Sequence, residues 1–496
     1  MLMSRVGVVV IGGGPAGLAA ATAASVDGAS VLLVERDISL GGALKQAIHN
    51  GFGAQRHGNM LTGPEYAFMD ISNLEHTNTF VMLQTSVTSV VKIGNTFQLT
   101  LCNRHGIVIV EAKSVVLATG CIERSVGHLL IHGTRPAGVF TAGCAQYYLN
   151  IMGQLPGKNC IILGSSDLGL IMARRFMLEG ARVLGVYEPS QSPVGSLQNV
   201  SECLNDFFIP LHCGHTVTYV LGSGRVKSVI VQRIDKNQNV IRGSENRIQC
   251  DSLIVAGSLK PETELADTLG IPISDITTGP ICDQNFMTMT EGVFCCGNAL
   301  FINSMVDNIS ESGEIAGQSA ARHMHYDRQI VNINVSKDFL FSVPQCLDLG
   351  MLRGEIVLFF RPREARENVV VRIIVNGQIL HSQEFLTLRP SNVERLSANL
   401  NIALTPECRV ELRIENNAII ENSISANIES GAGIDEGAII DEGTSASDSI
   451  NIDDNASTDD NAYIENSASI DDSAYIEDSA GIDDSAYIDD SAENGE

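Results

Sequence analysis

Val6-Gly7-Val8-Val9-Val10-Ile11-Gly12-Gly13-Gly14-Pro15-Ala16-Gly17 is the stretch on which the fold turns. Val6–Ile11 is apolar throughout and mostly β-branched, the composition of a parallel strand buried on both faces. It runs into a Gly-x-Gly-x-x-Gly turn, then an alanine-rich helix over Leu18–Ala24, then a second strand, Ser30–Val34, ending at Glu35. Each residue type has a physical task in a dinucleotide site. Gly12 permits the tight turn, Gly14 lets a pyrophosphate approach the backbone, and Gly17 lets the helix pack on the strand. The helix N-terminus offers N–H groups and positive dipole to the phosphates. Glu35, 18 residues past Gly17, is placed for a ribose hydroxyl.

The same plan returns downstream. Lys158–Leu163 reads as a strand, Gly164-Ser165-Ser166-Asp167-Leu168-Gly169 as its turn, Leu170–Leu178 as a helix, and Arg182–Tyr187 as a strand ending in Glu188. Gly164, Gly169 and Glu188 repeat the first unit, and an acid at that strand end favours NAD over NADP, whose 2′-phosphate it would repel. The middle glycine is replaced by Ser166, whose Cβ and hydroxyl take space that a pyrophosphate uses. Two readings stay open: a working NAD(H) site, or a domain that keeps the fold and binds nucleotide weakly.

Working further outward, the net charge of −26 is unevenly spread. Residues 1–413 hold 32 basic and 35 acidic side chains, whereas 414–496 hold 23 acidic ones and no Lys or Arg. Without a basic patch, nucleic acid is not expected as a partner. No apolar run approaches the roughly 20 residues of a membrane span. Met1–Arg5 leaves no room for a leader, so a cytoplasmic location is expected. The 12 cysteines show no Cys-x-x-Cys and suit a reducing compartment.

Other segments carry a resemblance. Glu35-Arg36 followed by Gly41-Gly42 resembles the FAD signature of the two-dinucleotide-binding-domain flavoproteins. Thr85-Ser86-Val87, Ala118-Thr119-Gly120 and Thr290-Glu291-Gly292-Val293-Phe294-Cys295-Cys296-Gly297-Asn298 follow in that superfamily's order. The resemblance implies bound FAD, with Val87 near the adenine, Thr119 and Gly120 in the family's turn, and Asn298 on the ribitol in place of the usual Asp. It also implies a helix beginning near Gly313-Glu314 whose N–H groups face the flavin pyrimidine. The cysteine pair of disulfide reductases is missing, so disulfide reduction is not expected. Gly41–Gly53 and Gly133–Gly143 are similar instead to glycerol-utilisation oxidoreductases, relatives of the FAD subunits of opine, sarcosine and cyanide-forming glycine dehydrogenases. Gln46 and His49 follow the glycine pair and are the candidate catalytic groups, His49 taking a proton from a substrate amine or hydroxyl. The rival reading of His49 is a histidine that anchors its loop through a backbone bond.

The expected fold is α/β, with nested Rossmann-like domains. FAD is bound by 1–125 and 276–330, an NAD(P)-type domain spans 126–275, and a small β domain spans 331–413 with a hairpin turn at Asn376-Gly377. Residues 414–496 repeat in hexads, with Ile464, Ile470, Ile476, Ile482 and Ile488 each followed four positions on by Ala. That pattern suits a short left-handed β-helix or, given its Ser, Asp and Asn, disorder. The expected activity is hydride transfer through flavin N5 between NAD(H) and a small substrate or partner protein. The alternatives are the FAD subunit of a dehydrogenase that oxidises a small polyol phosphate or amino acid and passes electrons to a partner without NAD, and a non-enzymatic flavin-bearing scaffold.

Overall fold

The structure is a computed structural model and describes residues 3–257, 259–351, 354–400 and 405–416. The hexad repeat lies outside the described residues.

The opening strand, β1 (Met3–Ile11), sits inside a seven-stranded sheet. It pairs in parallel with β2 (Val31–Val34) on one side and with Gly106–Leu117 on the other. Covered on both faces, Val8, Val9 and Val10 are at most 1% exposed, which is what an unbroken apolar strand requires. The outer strands Ser86–Ile93 and Thr96–Asn103 form an antiparallel meander with Gly106–Leu117. Val293–Cys295 arrives from far along the chain to pair with the end of the same strand, Cys295 opposite Leu117.

Helix α1 (Pro15–Val26) crosses the long helix Val306–Arg322, and small residues set the distance. A Cβ on Gly313 would lie 2.2 Å from Ala16 O, and one on Gly317 2.1 Å from Ala20 O. The expectation of a helix starting near Gly313-Glu314 is therefore corrected. The helix begins at Val306, Gly313 lies mid-helix as a packing residue, and Glu314 accepts a hydrogen bond from Arg56 at 2.7 Å.

The chain leaves the first domain on Cys121–Glu123 and returns on Leu259–Pro261, and these two segments pair as an antiparallel ribbon. Between them lies a five-stranded parallel sheet, centred on Asn159–Leu163 and Ser252–Val255, with a four-stranded sheet beside it. Ala266 and Ile271, expected in the second domain, pack in the first core because they follow the return crossing.

The third region folds as five- and three-stranded sheets around Leu347, Leu358, Phe360, Val371 and Leu396. Its strands Arg366–Val375 and Gln378–Leu388 pair antiparallel from Val375↔Gln378 out to Arg366↔Leu388. Asn376 and Gly377 both have positive φ (50° and 82°), the conformation of the two-residue hairpin turn. Phe359 stacks on Phe286 and packs tilted against Phe301, and so joins this region to the first core.

Candidate flavin site and the second nucleotide fold

At the first turn, backbone geometry leaves no choice of residue at two glycines. Gly12 has φ +108°, and a Cβ there would lie 2.3 Å from Ala118 O; a Cβ on Gly17 would lie 1.8 Å from Gly12 O. Gly14 is different, since its Cβ would meet only the Gly42 Cα, at 3.9 Å. The middle glycine thus packs against the glycine pair: a Cβ on Gly42 would lie 2.9 Å from the Gly14 Cα, so the two backbones meet at the helix N-terminus with no side chain over it. That is the seat a pyrophosphate occupies.

Glu35 is buried, and its carboxylate organises the loop. One oxygen accepts from Gly13 N–H at 2.6 Å and the other from Asp37 N–H at 2.8 Å, leaving lone pairs for a hydroxyl. Arg36 is exposed. Asp37 pairs with Lys45, whose ammonium holds its carboxyl below the usual range. Thr85 N–H bonds Glu35 O, and half-buried Val87 lies in the sheet-edge strand Ser86–Ile93. Thr119 donates its hydroxyl to Glu262 O, and Gly120 has φ +76°, so both shape the interdomain ribbon.

Asn298 Oδ1 accepts from Asn303 N–H at 2.9 Å, and Asn303 Oδ1 accepts from Met305 N–H at 2.9 Å. This chain of amides leads to the N-terminus of Val306–Arg322. Asn303 is 3% exposed, and its Nδ2 has no partner among the described residues. A buried donor without an acceptor is costly, and the pyrimidine carbonyls of a flavin would satisfy it. The side-chain-free seat at Gly14, the acid at Glu35 and this orphan donor all fit FAD.

His49 Nδ1–H donates to Asn50 O at 2.9 Å, leaving Nε2 as an acceptor. Gln46 points to the second domain: its side-chain amide donates to Gly143 O at 3.2 Å, and its backbone carbonyl accepts from Asn150 Nδ2 at 2.8 Å. Burial pushes the Cys121 thiol up to about 11, and all 12 cysteines are free. A cleft of about 960 Å³ opens at the start of Val306–Arg322, lined there by Asp307 and Glu311. Asp167 and Ser196 line it from the second domain, and Glu394 and Arg395 from the third.

Residues 6–320 match the pyridine nucleotide-disulphide oxidoreductase family. The chain belongs to that family. It is 25% identical over 380 residues to a subunit of the opine oxidase of Agrobacterium tumefaciens (strain Ach5), covering 72% of this chain and 73% of that one. It is 28% identical over 269 residues to the alpha subunit of sarcosine oxidase from Corynebacterium sp. (strain U-96), covering 52% of this chain and 27% of that one. The solved thioredoxin reductase of T. acidophilum shares the fold, with TM-score 0.53 and 20% identity over 64% of this chain and 98% of that one. Members of this kind are FAD-dependent oxidoreductases with Rossmann-like dinucleotide domains, and this chain is one by family. No helix among the described residues is long and apolar enough to cross a membrane.

Sequence reasoning missed Asn303 and Asp307. Asn303 stands five residues after Asn298, but its position matters only once the helix is known to begin at Val306.

Proposed function

We propose that this chain is the FAD-bearing subunit of an oxidoreductase that oxidises a small amine or polyol and hands the electrons to a partner protein. The observation that carries this reading is the side-chain-free helix N-terminus at Gly14 and Gly42, framed by glycines that backbone contact makes obligatory at Gly12 and Gly17 and by the buried acid Glu35. The similar proteins support the subunit character, since the opine oxidase and sarcosine oxidase relatives are each one subunit of a larger oxidase.

Bound FAD would supply hydride acceptance at its N5. The chain's own residues do the rest. Glu35 and the N-terminus of α1 hold the adenosine and phosphate end, and Asn298 and Asn303 hold the ribitol and pyrimidine end. His49, with Nδ1–H committed to Asn50 O, presents Nε2 to take a proton from the substrate nitrogen or hydroxyl. The electron pair and the proton thus leave the substrate on different acceptors.

A second reading, hydride exchange with NAD(H), is favoured by the retention of Gly164, Gly169 and Glu188 in the second domain. The deciding experiment is an anaerobic screen of small amines and polyols against the purified flavoprotein, followed by flavin absorbance. Bleaching by one such compound, reversed by an artificial electron acceptor, is expected. Protein that neither retains FAD on purification nor takes it up on reconstitution defeats the proposal.

A further inference from the structure

The two dinucleotide folds of this chain correspond bond for bond. Gly12 N–H donates to Val34 O and Gly164 N–H to Tyr187 O, each at 2.8 Å. A Cβ on either glycine would meet an alanine carbonyl oxygen, of Ala118 or Ala256, at 2.3 Å. Gly13 N–H bonds Glu35 and Ser165 N–H bonds Glu188, at 2.6 and 2.7 Å. In each half the other carboxylate oxygen accepts from the N–H two residues on, at Asp37 or Ser190. Gly41 N–H donates to Gly13 O and Gly195 N–H to Ser165 O, again at 2.8 Å each. Gly42 and Ser196 are therefore counterparts, as are Gly14 and Ser166, and Pro15 and Asp167.

Against that correspondence, the two phosphate seats differ. In the first half the middle glycine carries no side chain over the helix N-terminus, and no described group accepts from the Gly42 N–H. In the second half the counterpart N–H, that of Ser196, donates to Asp167 Oδ1 at 2.8 Å. Asn199 Nδ2 donates to the same oxygen at 2.7 Å. Asp167 stands in the first turn of its helix, so its carboxylate also meets the positive end of that dipole. The donors that would hold a phosphate are thus already turned to an anion. The ribose end is more occupied as well: Ser165 Oγ donates to Glu188 Oε2 at 2.8 Å, beside the bond from its own N–H, a hydroxyl bond that Gly13 cannot make to Glu35.

We infer that Asp167 is an internal anion seated where a dinucleotide pyrophosphate would lie, so that the second Rossmann-like fold of this flavoprotein binds no NAD(P)(H). A phosphate entering there would meet a carboxylate of like charge and donors already engaged. The second fold then serves as a wall of the cleft, to which Asp167 and Ser196 contribute, and the flavin exchanges electrons with other reactants. The flavin arm of the test below rests on the proposed function; the binding arm does not.

The test uses the purified full-length chain. Titration calorimetry with NAD⁺ and with ADP-ribose is expected to show no binding at millimolar ligand, and anaerobic NADH or NADPH is expected to leave the flavin oxidised. Ser166→Gly combined with Asp167→Pro reproduces the Gly14-Pro15 pair of the working seat and is expected to bind ADP-ribose at least 100-fold more tightly than the wild-type limit. Asp167→Ala, which disturbs the helix start less, is expected to move in the same direction. Wild-type binding tighter than millimolar, or prompt bleaching by NADH, overturns the inference. So does a folded Asp167 variant, with unchanged flavin content and melting, that still ignores ADP-ribose. Protein lacking FAD would defeat the flavoprotein reading while leaving the calorimetric result to stand by itself.

Discussion

Glycines in one short turn separate folding from cofactor binding, because each faces a different neighbour. Gly17→Ala drives a Cβ to 1.8 Å from Gly12 O; overpacking of that kind against backbone costs about 3 kcal/mol. It should lower the melting temperature and abolish flavin retention together. Gly14→Ala meets nothing nearer than 3.9 Å, so the apoprotein should melt within about 0.5 kcal/mol of wild type while FAD content falls. Calorimetry and flavin absorbance on the two variants check this, and equal melting shifts would contradict it. His49→Asn is the second test at this scale. The Asn side chain can keep a donor to Asn50 O while removing the free Nε2 acceptor, so flavin content should hold. Turnover of the identified substrate should fall by about 100-fold or more. An unchanged rate would return His49 to the loop-anchoring role. These residues were legible in the sequence because a glycine turn and its acid are local. Asp167 was not, since its meaning depends on the Gly195-Ser196 backbone folding back onto it.

Elements hold the first and third domains together through a buried charge cluster. Arg328 donates to Asp348 at 2.9 Å, to Asp283 at 2.7 Å and to Thr288 O at 2.7 Å, and Tyr326 adds its hydroxyl to Asp348. Burial pushes the Asp283 carboxyl up to about 6, with Arg328 opposing; in the unfolded chain it lies near about 4. The folded state therefore keeps a proton that the unfolded chain releases, and unfolding free energy should decline as pH rises from about 4 to about 6, then level off. Asp283→Asn should flatten that window in denaturant titrations at several pH values; a slope identical to wild type would assign it to other groups. Arg328→Met should cost about 3–5 kcal/mol, since it leaves two buried carboxylates without their cation. Strand and helix types were readable from β-branched runs and the alanine-rich segment. The start of Val306–Arg322 was not, because Gly313 answers to a tertiary contact with Ala16 and mimics a terminus in sequence. The same logic predicts that Gly313→Ala destabilises by forcing the two helices apart.

At the scale of the whole described body, the two dinucleotide folds touch beyond the ribbon that connects them. Asn150 sits at the centre of that contact. Its Nδ2 donates to Gln46 O at 2.8 Å, its Oδ1 accepts from Arg175 Nε at 3.0 Å, and Gln46 Nε2 donates to Gly143 O at 3.2 Å. Gln46, a candidate catalytic group in the sequence, ties the segment after the glycine pair to helix Ala142–Asn150. No periodicity or motif announces such a bond, since its partners lie about 100 residues apart and meet only after both domains have folded. Its consequence is control of orientation. Of the two hydrogen bonds lost, that to Gln46 O crosses between the domains and that from Arg175 lies within the second. At about 1 kcal/mol the crossing bond is small beside the stability of either core, yet a sizeable share of a contact otherwise held by the ribbon and the Gln46–Gly143 bond. Asn150→Ala should leave flavin content and the main melting transition nearly unchanged. Amide exchange should speed up selectively over Ala142–Asn150 and the Gly42–Gln46 turn, with slower turnover if the cleft must close for reaction. Uniform loss of protection across both domains would show that Asn150 acts on global stability, and protection equal to wild type would show that the domains are held by the ribbon without it.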